Sequence, residues 1–318
     1  MSFASDVKKE LALVKPEKEC CGLSELCGLY ASMGSLSLLG RGRVNVQLIN
    51  ENYASCRRAY TLLVQTLRVT PQIHYVDSAR FGGVRKCVLT LGPVHSPVLL
   101  SALGMMEKKT DGTYAFRSAT PRLSLTRLCC MKAFLRGIMM GGGTMSNPDQ
   151  GYHLELPCRD SDTQAMMAKS MQRVGLPIKL GARREHTFLY LKQSDQIVDF
   201  LTAIGAHNSV MYIEDLRVKR QVMSTVNRAM NCDSANLQKQ MNASDRQIAA
   251  IQQLVDSQKL ATLPPSLQEI ALVRLNNPSI SLAELGALLD PPIGKSGVNH
   301  RMRRLMTYTD PIEQEDNP

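Results

Sequence analysis

The residues best suited to chemistry lie near the end of the chain. Lys295, Ser296, Asn299, His300, Arg301, Arg303 and Arg304 fall within ten consecutive positions. Val298, Met302 and Leu305 recur at i, i+4 and i+7, the spacing of a helix with one buried stripe. If that stripe faces inward, Ser296, Asn299, His300 and Arg303 face outward, and Lys295, Arg301 and Arg304 flank them. Such a surface suits the major groove of double-stranded DNA. Asparagine pairs with adenine and arginine with guanine, and a serine at a helix start reaches a phosphate or a base. The same composition would also serve a basic, solvated helix in a protein-binding module.

Three elements must hold that surface. Leu267–Leu275 has helical spacing. Ser281-Leu282-Ala283-Glu284 is a capping box, with serine at the cap and glutamate three residues on. Leu282, Leu285, Leu288 and Leu289 form the apolar face of the short helix it opens. Asp290-Pro291-Pro292-Ile293-Gly294 then breaks the chain sharply before the last helix. Three helices of this length, with a tight turn before the third, describe a helix-turn-helix.

Other residues are weaker candidates. Arg57 and Arg58, Arg80 and Arg85, and Arg183 and Arg184 could touch phosphate, or be merely solvated. The net charge of +10 over 318 residues favours a polyanionic partner. The last twelve residues carry four acids and no bases, so the excess lies in the body of the chain. Nine cysteines is an odd number, and no signal peptide precedes them, so reduced thiols are expected. The adjacent pairs Cys20-Cys21 and Cys129-Cys130 lack the CxxC spacing of a zinc ligand pair, and they read as buried or half-buried thiols at helix starts, with a metal site as the lesser alternative. Gly141-Gly142-Gly143 lacks the Gly-Lys-Ser/Thr ending of a phosphate-binding loop and does not follow a strand. No cofactor and no metal are expected. No apolar run is long enough to span a membrane, and the expected location is cytoplasmic, at the nucleoid.

The architecture follows from an internal repeat. Residues 20–37 (CCGLSELCGLYASMGSLS) and 129–146 (CCMKAFLRGIMMGGGTMS) lie 109 positions apart. Both open on a cysteine pair, and both place glycine seven residues after the second cysteine (Gly28, Gly137) and again six later (Gly34, Gly143). A half-domain has been duplicated. After the first copy, Arg43–Leu48 alternates as a strand, Asn52–Arg68 is helical, Ile73–Val76 and Val84–Leu91 form a hairpin around Phe81-Gly82-Gly83, and Pro97–Met106 returns to helix. After the second, Tyr152–Leu156 is a strand and Asp162–Val174 a helix capped by Ser161. Ile178–Leu180 and Thr187–Leu191 pair around Arg183-Arg184, and Gln196–Ile204 closes the half. Each half is αββαββα, and the fold class is α+β with an all-α C-terminal domain. The expected divisions are an N-terminal helix (1–15), a first repeat (16–106), a polar linker (107–128), a second repeat (129–207), a helical connector (208–260), the helix-turn-helix (261–306) and an acidic tail (307–318). In the connector, Asn227 and Asn231 share one helix face and Asn236 lies just beyond. They are expected in an internal polar network or as caps, with contact to DNA phosphate or another domain as the alternative.

Laid against the LAGLIDADG pattern, the first helix reads Leu26-Cys27-Gly28-Leu29-Tyr30-Ala31-Ser32-Met33-Gly34. The second reads Leu135-Arg136-Gly137-Ile138-Met139-Met140-Gly141-Gly142-Gly143. The chain thus resembles a monomeric LAGLIDADG homing endonuclease domain. The resemblance implies two helices packed at a pseudo-twofold axis under a saddle of two sheets. In active endonucleases the eighth motif position is acidic and holds the catalytic metal. Here it is Met33 and Gly142, and neither side chain binds a hard cation. The nearest following acids, Glu51 and Asp149, are not at the helix ends. The resemblance therefore implies the fold without nuclease activity.

A degenerate LAGLIDADG repeat followed by a helix-turn-helix resembles the WhiA family of bacterial regulators of sporulation and cell division. The segments that carry the likeness are MSFASDVKKEL, CCMKAFLRGIMMGGGTMSNPDQGYHLEL, FLTAIGAHNSVM, VNRAMNCDSAN and LAELGALLDPPIGKSGVNHRMRRL. The likeness implies a sequence-specific transcriptional regulator that binds promoter DNA. Its implied protein partners are a WhiB-type iron–sulfur regulator and RNA polymerase. Two other readings compete: a scaffold whose saddle binds a protein, and a divergent metal-dependent nuclease.

Overall fold

The computed structural model describes residues 2–40, 43–78, 83–110, 112–183 and 186–309. They form two compact units, Met1–Lys219 and Arg220–Pro318. The expected boundary lay near residue 208. The division instead falls inside one long helix, α8 (His207–Asp256), and each unit is described by itself.

The first unit begins with α1 (Phe3–Leu11) and then runs through the first repeat. That repeat comprises α2 (Glu19–Met33), β1 (Gly34–Gly40), β2 (Arg43–Asn50), α3 (Tyr53–Leu67), β3 (Gln72–Ser78), β4 (Val84–Leu91) and α4 (Ser96–Ala102). A short hairpin follows, β5 (Met106–Lys108) and β6 (Tyr114–Phe116). The second repeat is α5 (Leu128–Gly141), β7 (Thr144–Met145), β8 (Leu154–Cys158), α6 (Ser161–Val174), β9 (Leu180–Arg183), β10 (His186–Leu191) and α7 (Ser194–Ile204). Both halves are αββαββα as the duplication requires. Their sheets share one antiparallel order, β1-β2-β4-β3 and β7-β8-β10-β9.

Alternation sets each sheet's two faces. Val44, Val46 and Leu48 of β2 are buried, as are Leu154, Leu156 and Cys158 of β8. These inward residues join Cys56, Ala59, Leu62 and Leu63 of α3 and Met167 and Met171 of α6 in one core. Helices therefore cover one side of each sheet and leave the other open. The two repeats meet along α2 and α5. A Cβ at Gly28 would run into the Phe134 carbonyl, and one at Gly137 into the Glu25 carbonyl. Only glycine lets the two backbones approach this closely. Ridge-into-groove packing of larger side chains would hold the axes at about 8–10 Å.

Several local expectations need correction. The helix expected over Pro97–Met106 stops at Ala102, and Met106 begins β5. The polar stretch 107–128 contains most of a hairpin. Strands of three residues are too short to show as alternation. Asp160, not Ser161, caps α6, with Oδ1 accepting from the Thr163 N–H at 2.7 Å. The connector belongs to one continuous helix, and Asn227, Asn231 and Asn236 are exposed on it, not in an internal network or at a cap. The start of α8 is capped by another element. Glu10 of α1 accepts from the N–H groups of Asn208 at 2.6 Å and Ser209 at 3.0 Å, so a carboxylate sits at the positive end of the helix. No helix among the described residues is long and apolar enough to cross a membrane.

The second unit holds α9 (Pro265–Asn276), α10 (Leu282–Ala287) and α11 (Lys295–Met306). They close on a separate core with Ile251 and Leu254 from the end of α8.

Candidate nucleic-acid interface

The third helix of the C-terminal unit is built outward from its buried stripe. Val298, Met302 and Leu305 are at most 2% exposed and pack on Leu267, Ile270, Ala271 and Leu285. α10 starts at the capping box as expected. The Ser281 hydroxyl accepts from the Glu284 N–H at 3.3 Å, and a Glu284 carboxylate oxygen accepts from the Ser281 N–H at 2.8 Å. These hydrogen bonds from Ser281 hold the Glu284 carboxyl below its ordinary value. Gly286 then lets the turn fold back: its carbonyl accepts from Ile293 at 3.0 Å, and a Cβ there would strike the Ile293 carbonyl. From the opposite side, Glu269 of α9 accepts from the Asp290 N–H at 2.8 Å. Arg274, 2% exposed, donates to the Ile280 carbonyl at 2.9 Å and fixes the entry to α10.

This frame presents the expected residues unequally. Lys295, Ser296, His300, Arg303 and Arg304 are exposed, and Asn299 is half-buried at the edge of the same face. Arg301 lies beside the buried stripe, 3.8 Å from the Glu269 carboxylate, so it is tied to the protein's own α9. The outward surface is Ser296, Asn299, His300 and Arg303, with Lys295 and Arg304 beside it. Two basic residues in its last turn also suit the negative end of the helix.

The saddle residues do not form one basic patch. Arg58 is buried, and its guanidinium makes a two-pronged contact with Glu25 at 2.6 and 2.8 Å, so it is unavailable to phosphate. Arg57 is exposed but lies on α3, the helical side of the sheet, away from the open face. Arg85 shares the register side of buried Cys87 and sits over Tyr75 at 4.8 Å, also off the open face. Arg183 is on the open face of the second sheet, 5.8 Å above Phe188 and 3.5 Å from Glu155. Arg80 and Arg184, with Phe81 and Gly82 of the expected turn, lie outside the described residues. The open face of the first sheet carries Ser35, Asn45, Gln47, Thr90 and Gln72, with Arg43 and Lys86 on the same side, and Lys86 is paired with Glu51.

Met33 is buried at the end of α2, and Gly142 caps α5. Between these ends the Asn50 amide donates to the Gly141 carbonyl at 2.7 Å. Glu51 pairs with Lys86 at 3.3 Å, and Asp149 accepts from Tyr212 at 3.1 Å. Among the described residues no carboxylate pair stands at the helix ends.

Two groupings were missed by reading the sequence. Glu25, Arg58 and Arg136 form a buried triad across the two repeats. Arg136 reaches Glu25 at 3.1 Å and the Ile204 carbonyl at 2.7 Å. A glutamate within an apolar helix, and arginines 33 and 111 positions away, carry no local signal of pairing. The second grouping is the two cysteine pairs, which converge at the start of α2 and α5.

Comparison with known proteins closes the question of descent. Three family profiles match in order: the WhiA N-terminal LAGLIDADG-like domain over residues 19–104, the WhiA LAGLIDADG-like domain over 131–223, and the WhiA C-terminal HTH domain over 226–309. The chain belongs to the WhiA family. Among its WhiA relatives, the probable cell division protein WhiA of Syntrophomonas wolfei is 38% identical over 322 residues, covering 99% of this chain and 100% of the relative. That of Heliobacterium modesticaldum is 35% identical over 316 residues, covering 99% and 98%. Full-length DUF199/WhiA from Thermatoga maritima, solved by crystallography, is similar with a TM-score of 0.59 and 26% identity, covering 97% of this chain and 98% of that one. The LAGLIDADG and helix-turn-helix likenesses in the sequence are thus confirmed as WhiA domains.

Proposed function

We propose that this WhiA-family chain is a sequence-specific DNA-binding transcriptional regulator of cell division, and of sporulation where its host sporulates, acting at the nucleoid in the cytoplasm. The observation that carries this reading is the outward face of α11. A polar and basic row rises from a helix whose opposite side is locked into its own core. Ser296, Asn299, His300 and Arg303 read base edges, while Lys295 and Arg304 hold phosphates. Arg301 is a positioning residue through Glu269. The names of its relatives support the link to cell division. Promoter DNA is the proposed partner, and a WhiB-type regulator and RNA polymerase are proposed to join it there.

The saddle is proposed to lack nuclease activity. Met33 and Gly142 supply no oxygen ligand from their side chains, and phosphodiester hydrolysis by a hard divalent cation needs carboxylates at that point. On the full-length protein, fluorescence anisotropy with duplex DNA across a salt series tests the binding. Affinity falling steeply with salt is the expected result. Supercoiled plasmid incubated with Mg²⁺ is expected to remain supercoiled. Nicking by purified protein, lost with Mg²⁺ removal, would overturn the inactive assignment.

A further inference from the structure

The duplication that built the saddle also doubled a cysteine pair, and the fold brings the copies together. Cys20 and Cys21 open α2, Cys129 and Cys130 open α5, and all four Sγ atoms lie within 4.8 Å of one another. Cys21 and Cys130 are buried, and Cys20 and Cys129 are half-buried. A tetrahedral site with Zn–S bonds of about 2.3 Å has sulfur–sulfur edges of about 3.8 Å, so small side-chain rotations close this group around one ion. The CxxC rule that counted against zinc applies to ligands from one segment. Here each segment supplies an adjacent pair, and the near-symmetric helix pair supplies the convergence.

The surroundings place positive charge beside the sulfurs. The first turns of α2 and α5 direct two positive helix ends at the sulfurs, and neither N-cap residue, Lys18 or Arg127, caps its helix with its side chain. The Arg127 guanidinium lies 3.7 Å from the Cys20 Sγ. Among the described residues no other group of three or more histidine, cysteine or acidic side chains has metal-binding geometry.

We propose that Cys20, Cys21, Cys129 and Cys130 form a structural zinc site that staples the two repeats together. Four thiols each release a proton to bind one Zn²⁺, giving a tetrathiolate of charge −2 opposite the two helix ends and Arg127. Soft sulfur ligands select zinc over magnesium or calcium, and four protein ligands leave no open position for substrate. The site is independent of DNA reading. It joins segments 109 positions apart at the point where the two halves meet.

Full-length protein purified without chelator is assayed for metal by elemental mass spectrometry, then reconstituted with Co²⁺. The expected result is stoichiometric zinc, released as a mercurial titrates the thiols, and a cobalt spectrum with the strong visible bands and near-ultraviolet charge transfer of a tetrathiolate. Cys20→Ser/Cys129→Ser should lose the metal, and Cys232→Ser should retain it. If the double variant does not fold, the wild-type cobalt spectrum still decides. Metal-free wild-type protein that also gives no thiolate–cobalt bands would overturn the proposal. So would a disulfide between the two pairs in protein whose thiols were blocked at lysis.

Discussion

Individual side chains divide into those that read and those that hold. Asn299 and Arg303 belong to the first group. Their replacement by alanine is expected to weaken specific binding by about 1–3 kcal/mol each while leaving random-sequence DNA nearly unaffected. Equal losses on both DNAs would assign them to phosphate. Arg301 and Arg58 belong to the second group because each faces a carboxylate of its own chain. Glu25 faces two guanidiniums with no solvent access. Glu25→Ala leaves both arginines without a counter-charge inside the core, and urea unfolding of the first unit's signal should show a loss of about 3–5 kcal/mol. An unchanged midpoint would mean the triad is not buried in solution.

Elements differ in how openly the sequence announces them. The helix-turn-helix was legible because its signals are local: a capping box, a break and a stripe at i, i+4 and i+7. The LAGLIDADG helices were legible as a repeat, and their glycines mark the close approach of α2 and α5. The β5–β6 hairpin was not, being too short to display a period. The cysteine cluster was hidden because its geometry belongs to a pair of helices rather than to either segment. Two predictions belong to these elements. Gly137→Ala forces a Cβ against the Glu25 carbonyl, and calorimetry should record a destabilisation of about 3 kcal/mol, the upper end for overpacking. An unaltered thermogram would mean the helices are further apart than described. Ser281→Ala should destabilise the C-terminal unit by about 1 kcal/mol. Because Glu284 is held below its ordinary value in the fold, its contribution is complete above the ordinary carboxylate range. It is lost as pH falls through the folded-state value. Glu284→Gln should therefore flatten the acid limb of the unit's stability profile, and an acid limb identical to wild type would contradict the capping role.

Across the molecule, a duplicated fold places a methionine, a glycine and an asparagine amide at the ends of its two central helices. The buried triad and the close glycine contact hold the two repeats in register. The net charge of +10 favours attraction to a polyanion in general, whereas discrimination is assigned to one helix face in the C-terminal unit. The most direct test of that assignment is enrichment sequencing of a genomic DNA pool bound by the full-length protein and by its Asn299→Ala/Arg303→Ala variant, at two salt concentrations. The account predicts that wild type enriches one motif at both salts and that the variant loses it while keeping salt-sensitive general binding. A motif enriched equally by both proteins would contradict α11 as the reader, and the absence of any motif with the wild type would contradict sequence-specific recognition by this chain alone.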